Sequence, residues 1–232
     1  MSTPNLFELN KVAKRFTKGK ETISIFNDLT MNIKQGDFMA IMGPSGSGKT
    51  TLLNLLGGVD QPSEGEIMFD GQRIDNLSEG QLAKWRANNI GFIFQFYNLM
   101  PMLNAARNVE LPLLLTKLSR SERQKQVDTA LELVGLSDRA KHMPSEMSGG
   151  QQQRVAIARA IVSDPKFLLC DEPTGDLDRQ TADEILEMLQ LLNQQFGKTI
   201  VMVTHDPSAA KYATHTVHLN KGEFVKEEEL LV

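Results

Sequence analysis

The sequence predicts an α/β fold with a mainly parallel sheet, an antiparallel β lobe near its start and an inserted helical lobe. Three observations predict it. Short apolar or β-branched runs at Phe38–Met42, Phe167–Cys170 and Thr199–Val203 are each followed by polar or glycine-rich residues, the pattern of buried parallel strands. Residues 5–35 and 64–74 read instead as short strands separated by turns. From about residue 97 to 160 the character changes to helical stripes with capping signals.

In chain order, Phe38-Met39-Ala40-Ile41-Met42 is the first buried strand, and Thr51-Leu52-Leu53-Asn54-Leu55-Leu56 is a helix that Gly57-Gly58 can stop. Phe69-Asp70-Gly71-Gln72 is a hairpin signal, which assigns residues 64–74 to the antiparallel lobe. Ser78-x-x-Gln81 and Ser119-x-x-Glu122 are capping boxes that start helices, and Val127, Leu131 and Val134 form a helical stripe. The helical lobe ends in Gln152 to Val162, opened by a third capping box, Ser148-x-x-Gln151. Asp178 is placed to cap the next helix. Its stripe of Ala182, Ile185, Leu189, Leu192 and Phe196 is expected to face the core, and Gly197 ends it.

With 232 residues, the chain is expected to form one domain, 1–232, with a core of 1–96 and 161–232 around a helical lobe of 97–160. Acidic residues outnumber basic ones, 29 to 25, for a net charge of −4, which argues against a general nucleic-acid footprint. The single cysteine, Cys170, excludes an internal disulfide, suits a reducing cytosol and is expected to pack as a small hydrophobe. Apolar runs such as Leu111–Leu115 fall far short of the ~20 residues that span a bilayer, and Met1–Asn5 lacks a charged-then-apolar secretion signal. The expectation is a cytoplasmic protein that meets a membrane only through a partner. Glu227-Glu228-Glu229 reads as a solvated tail.

The chemistry concentrates at the ends of the predicted strands. Gly43-Pro44-Ser45-Gly46-Ser47-Gly48-Lys49-Thr50 fits G-x-x-x-x-G-K-[ST] in the required strand–loop–helix setting, with Thr51 next to it. Its glycines let backbone N–H groups surround phosphate oxygens, and the helix N-terminus adds positive potential. Lys49 can reach the β- and γ-phosphates, and the Thr50 hydroxyl can ligate Mg²⁺. The Phe167 run ends in Asp171, suited to hold Mg²⁺, and Glu172, suited to polarise the attacking water. His205 ends a third run and is placed to meet the γ-phosphate. The Ser148 capping box does not itself require Gly149-Gly150, since glycine in a helix costs about 1 kcal/mol relative to alanine. A serine and two glycines at a helix start make a second anion site. One nucleotide does not need two cradles from one chain, so two chains meeting head to tail would share them.

These blocks together resemble the ATP-binding cassettes of the ABC family over nearly the whole chain. Gly43–Thr50 is similar to the Walker A motif, Phe167–Glu172 to Walker B, and Met147-Ser148-Gly149-Gly150-Gln151 to the LSGGQ signature, with Met147 in place of leucine. Gln95 is similar to the Q-loop glutamine, Asp176-Leu177-Asp178 to the D-loop and His205 to the switch histidine. The finer resemblance is to the lipoprotein-release and macrolide-export (LolD/MacB-like) cassettes. It rests on Asp171–Asp178, Phe94–Pro101, Asn108–Leu113 and Gln151–Ala160. The resemblance implies a P-loop NTPase core and ATP with Mg²⁺ as cofactors. It also implies that Gln95 joins Thr50 and Asp171 around the metal and links it to a transmembrane partner. Phe16 occupies the place of a base-stacking aromatic, with a core phenylalanine as the other reading.

The function so implied is an ATPase subunit that dimerises around two ATP and drives export or extraction through separate transmembrane permease subunits. It would sit on the cytoplasmic face of the inner membrane. The same chemistry would serve a mechanical or regulatory complex, as in division or peptide sensing. A nucleic-acid ATPase of this class usually carries a coiled-coil insertion, basic patches or tandem cassettes, which this chain does not show. Phe96, Tyr97, Leu99, Met100 and Leu103 are expected either to receive a partner's short helix or to pack the helical lobe. Leu99 and Leu103 would pair at i,i+4 in a helix, which Pro101 opposes.

Overall fold

A computed structural model describes residues 3–19 and 21–225. Strands β1 (Asn5–Lys18), β2 (Glu21–Lys34), β3 (Phe38–Met42) and helix α1 (Lys49–Leu56) lead into β4 (Glu64–Phe69), β5 (Gln72–Arg73), α2 (Glu79–Asn89) and β6 (Ile90–Phe94). Helices α3 (Ala105–Glu110), α4 (Arg120–Leu133) and α5 (Gly149–Ile161) follow. The chain then returns through β7 (Phe167–Asp171), α6 (Arg179–Phe196), β8 (Thr199–Val203), α7 (Pro207–Ala210), β9 (His215–Asn220) and β10 (Glu223–Val225).

Two sheets result. The central one has the order β10-β9-β3-β8-β7-β6, parallel except for β10 at its edge, and the second is the antiparallel β2-β1-β4-β5. Alternation along the central strands divides the core in two. Phe38, Ala40, Leu168, Cys170, Ile200 and Met202 pack with α3 to α6 on one face. Met39, Ile41, Phe167, Leu169, Val201 and Val203 pack with α1 and the antiparallel sheet on the other. A large apolar side chain buried this fully contributes about 1.5–3 kcal/mol. A one-residue slip would exchange the two faces and misfit both against their close-packed neighbours, so the register is held by packing.

Several predicted elements form as read. Asp70 and Gly71 both take positive φ (49° and 74°) in the hairpin between β4 and β5. Capping boxes close the starts of α2, α4 and α5, and the Asp178 carboxylate accepts from the Thr181 N–H at α6. Val127, Leu131 and Val134 are buried, as is Cys170. Two expectations need correction, and a third reading, left conditional, is decided. The first two strands are 14 residues long, not short, because shifts of register between Leu9 and Arg15 let one strand pair bend without ending. Phe196 is half-exposed, since it stands in the last turn of α6 before the Gly197 cap, on an open groove shared with Leu118 and Leu192. Leu99 and Leu103 are not a helical pair: Tyr97 and Asn98 have left-handed backbones, and no helix begins until Asn104 caps α3. The Glu227–Glu229 tail lies outside the described residues. Among the described residues, no helix is long and apolar enough to cross a membrane.

Candidate active site

Parallel pairing decides where the chemistry gathers. Ile41 and Asp171 both register against Val203, so β3, β8 and β7 end together. Their following residues line one cleft of about 480 Å³: the loop 43–46 and 48–51 on one side, Asp171, Glu172 and His205 on the other. Ile25 also lines it, from β2. Nothing in the β2 sequence marks Ile25, because its place depends on the antiparallel sheet folding over the loop.

The loop tolerates little but glycine where it is tightest. A Cβ at Gly43 would lie 2.1 Å from the Leu219 carbonyl oxygen and 2.8 Å from the Ser47 Oγ. Gly48 has φ +105°, and a Cβ there would press on Ile25 and Phe26 at 3.0 and 3.1 Å. Ser47 is buried and its hydroxyl has no hydrogen-bond partner among the described residues, a state that costs about 1–3 kcal/mol in a folded protein. Lys49 lies back along the loop, its Nζ donating to the carbonyls of Gly43 (2.7 Å) and Pro44 (2.8 Å).

The acidic side is held by backbone. Glu172 has φ +48°, a left-handed conformation that costs a non-glycine residue about 1–2 kcal/mol. Its N–H donates to the Val203 carbonyl (2.9 Å) and its carbonyl accepts from Gly175 N–H (3.1 Å). The turn brings Glu172 Oε2 within 2.9 Å of His205 Nδ1, with His205 largely exposed. Burial pushes the Asp171 carboxyl above its ordinary range; Glu172 adds to the shift and Lys49 opposes it. Such a carboxylate, in one cleft with the Thr50 hydroxyl, favours a hard cation. One acid and one hydroxyl suit Mg²⁺, which takes its remaining oxygens from phosphate and water.

Other predicted residues lie outside this cleft. Phe16 is exposed on β1 with Lys14 Nζ 4.7 Å from its ring centre, so it is not a core phenylalanine. Gln95 packs over Gly175, where a Cβ would meet its Nε2 at 2.9 Å. Ser148, Gly149, Gly150 and Gln151 open α5 and do not line the cleft of their own chain. Their glycines have an intramolecular reason that spacing did not reveal. A Cβ at Gly150 would sit 2.3 Å from Thr181 Cγ2, and one at Gly149 would sit 2.8 Å from Tyr97 Oη.

The profile of the family described as ABC transporter matches residues 26–175, from β2 through the loop, α5 and the turn after Glu172. The chain belongs to the ABC transporter family. This cassette is an ATPase, and its relatives fall in the subfamily that its motifs indicate. It is 46% identical over 220 residues to the ABC transporter ATP-binding protein YknY of Bacillus subtilis, covering 95% of both chains. It is 44% identical to the lipoprotein-releasing system ATP-binding protein LolD of Acinetobacter baylyi, over 95% of this chain and 97% of that one. It also matches the macrolide export ATP-binding/permease protein MacB 2 of Aeromonas hydrophila at 46%, over 96% of the cassette but 34% of that protein. Among solved structures, the dimeric post-hydrolysis state of MJ0796 of Methanocaldococcus jannaschii, bound to ADP and Pi, superimposes with a TM-score of 0.86. It is 43% identical, over 95% of this chain and 97% of that one.

The raised pKa of Asp171 makes a stability prediction for the nucleotide-free cassette in EDTA. A carboxyl whose folded pKa exceeds its unfolded value of about 3.9 destabilises the fold once pH rises through the folded value, and contributes nothing below the unfolded one. Asp171→Asn is therefore expected to raise the thermal midpoint at pH 7. The gain should shrink as the pH falls toward 4 in parallel melts. A loss of stability at pH 7, or a gain independent of pH, would contradict the assignment.

Proposed function

We propose that two copies of this cassette close head to tail around two ATP and drive export or extraction through separate transmembrane subunits. The observation that carries the reading is the separation of two phosphate-binding features in one chain. Residues 43–46 and 48–51 line a cleft with Asp171, Glu172 and His205, while Ser148-Gly149-Gly150-Gln151 lies outside it. A second copy would bring that loop to the first copy's γ-phosphate. The dimer reported for MJ0796 supports this, and the LolD and MacB relatives support export or extraction.

In this reading Gly43 to Gly48, Lys49 and Thr51 bind the phosphates, and Phe16 stacks on the adenine. Thr50, Asp171 and Gln95 would hold Mg²⁺, which when bound would neutralise phosphate charge. Glu172 polarises the attacking water, and its contact with His205 orients it toward the γ-phosphate. Phosphoryl transfer depends mostly on such positioning and charge neutralisation. Gln95 and the helical lobe pass the cycle to the membrane subunits, with the cassette held on their cytoplasmic side.

The partner surface is best placed somewhat differently from the sequence expectation. Tyr97, Leu99 and Leu103 are only partly exposed, and Leu99 packs on the core. Phe96, Met100, Met102, Leu114 and Leu115 are the exposed apolar side chains of this region. Leu115 also lines a groove of about 310 Å³ with Phe92, Pro112 and Arg159. A short partner helix suits such a groove.

Three outcomes are expected. Glu172→Gln should retain ATP binding but release phosphate at least ~100-fold more slowly, since loss of a general base costs about 10²–10⁴-fold. Near-normal turnover would remove Glu172 from its role. Lys49→Ala and Gly150→Asp chains, each inactive alone, should recover activity when mixed, because one of the two shared sites is then free of both defects. If sites fire only together, linked dimers will show it; wild-type turnover by a strictly monomeric chain would refute sharing. Finally, Met100→Glu with Leu115→Glu should weaken capture of the membrane subunits at least about 10-fold while ATP binding persists. Unchanged assembly would place the docking surface elsewhere.

A further inference from the structure

Three segments that leave different strands or helices meet at one tyrosine. Tyr97 follows β6 in a left-handed turn (φ +57°), and its ring is half-buried. Its hydroxyl lies 3.4 Å from Asp176 Oδ2, in the loop after β7, and presses on the space above Gly149 at the start of α5. Leu177 closes the other side of that space, 3.4 Å from where a Gly149 Cβ would be.

The turn that carries Tyr97 is anchored from α5 as well as by its own strand, where the Tyr97 N–H donates to the Phe94 carbonyl (3.3 Å). Arg159 donates to the carbonyls of Asn98 (2.6 Å) and Tyr97 (2.8 Å). One turn and a half earlier on the same helix, the fully buried Gln153 donates from Nε2 to the carbonyls of Phe94 and Pro173. These four acceptors bracket Gln95 on one side and Glu172 on the other. Side-chain donors satisfied in this way rigidify the backbone they hold. The Tyr97 contact is the one side-chain bond among these that joins the Gln95 segment directly to the loop after Glu172.

We propose that Tyr97 is a positioning residue for ATP hydrolysis, its hydroxyl latching the segment after Gln95 to Asp176 so that both move with the start of α5. The phenolic hydroxyl is protonated at neutral pH and donates to the Asp176 carboxylate. Nothing reacts at Tyr97. It acts by holding the loop between Glu172 and Asp178 against the turn that Gln95 begins. The assignment rests on the roles given above to Gln95 and Glu172, but the latch itself can be observed without nucleotide.

The test is Tyr97→Phe, which keeps the ring and removes only the bond. The expected result is kcat lower by roughly 3- to 10-fold, the scale of one lost hydrogen bond, with KM for ATP within about twofold and the thermal midpoint lowered by no more than a few degrees. In the nucleotide-free chain, amides of residues 174–178 should exchange with deuterium faster in Tyr97→Phe than in wild type. Asp176→Ala should produce the same faster exchange, and adding Tyr97→Phe to it should produce no more. Faster exchange that saturates in this way supports the latch even if turnover were governed elsewhere. Positioning for catalysis is overturned if kcat stays at the wild-type value or falls only with the thermal midpoint. The latch is overturned if exchange is unchanged, or if the two substitutions add.

Discussion

The parallel register of β3, β8 and β7 is the constraint on which the site depends. Each strand buries one set of side chains against the helices and the other against α1 and the antiparallel sheet. Each set is shaped to its own neighbours, so a slip would misfit both faces at once. The residues that follow the strands are therefore delivered to one edge: the loop from Gly43, the pair Asp171-Glu172, and His205. Precision at that edge comes from ordinary hydrophobic burial several residues away. No polar contact at the edge is asked to hold the sheet in place.

That edge holds groups that the fold alone would not favour. The Asp171 carboxylate is partly desolvated beside a second acid, and Glu172 occupies a left-handed backbone. Ser47 keeps a buried hydroxyl without a partner among the described residues. Strained or desolvated groups persist where the surroundings over-determine them, and they concentrate where a ligand is to be met. Here the surroundings are the backbone bonds Glu172 to Val203 and Gly175 to Glu172, together with the tight loop under Ile25 and Phe26.

α5 links this edge to the helical lobe. Its first residues are pressed by Tyr97 and Thr181, its middle carries Gln153, and its end carries Arg159. The half-buried Arg159 guanidinium and the buried Gln153 amide donate to backbone carbonyls at or just after the ends of β6 and β7, not to other side chains. A rotation of α5 would thus carry the turns after β6 and β7 with it. α5 thereby joins the edge of the cleft to the turn that precedes the exposed Met100.

Much was legible in the chain itself. Short apolar runs reported the buried strands, capping boxes reported where α2, α4 and α5 begin, and glycine spacing reported the phosphate loop, because each is a local rule of backbone or burial. The candidate residues were legible for the same reason: Lys49, Asp171, Glu172 and His205 each follow a recognisable strand. Local rules did not reach further. The length of β1 and β2 depends on shifts of register between paired strands, and the exposure of Phe196 depends on the open groove beside the last turn of α6. The part played by Ile25, Tyr97, Gln153 and Arg159 arises between segments far apart in sequence, as does the need for glycine at 149, 150 and 175. Sequence determined the fold class, the family and most of the residues of the cleft. Only tertiary packing decided which loops touch, because a contact across 50 to 80 residues leaves no periodicity in either segment that makes it.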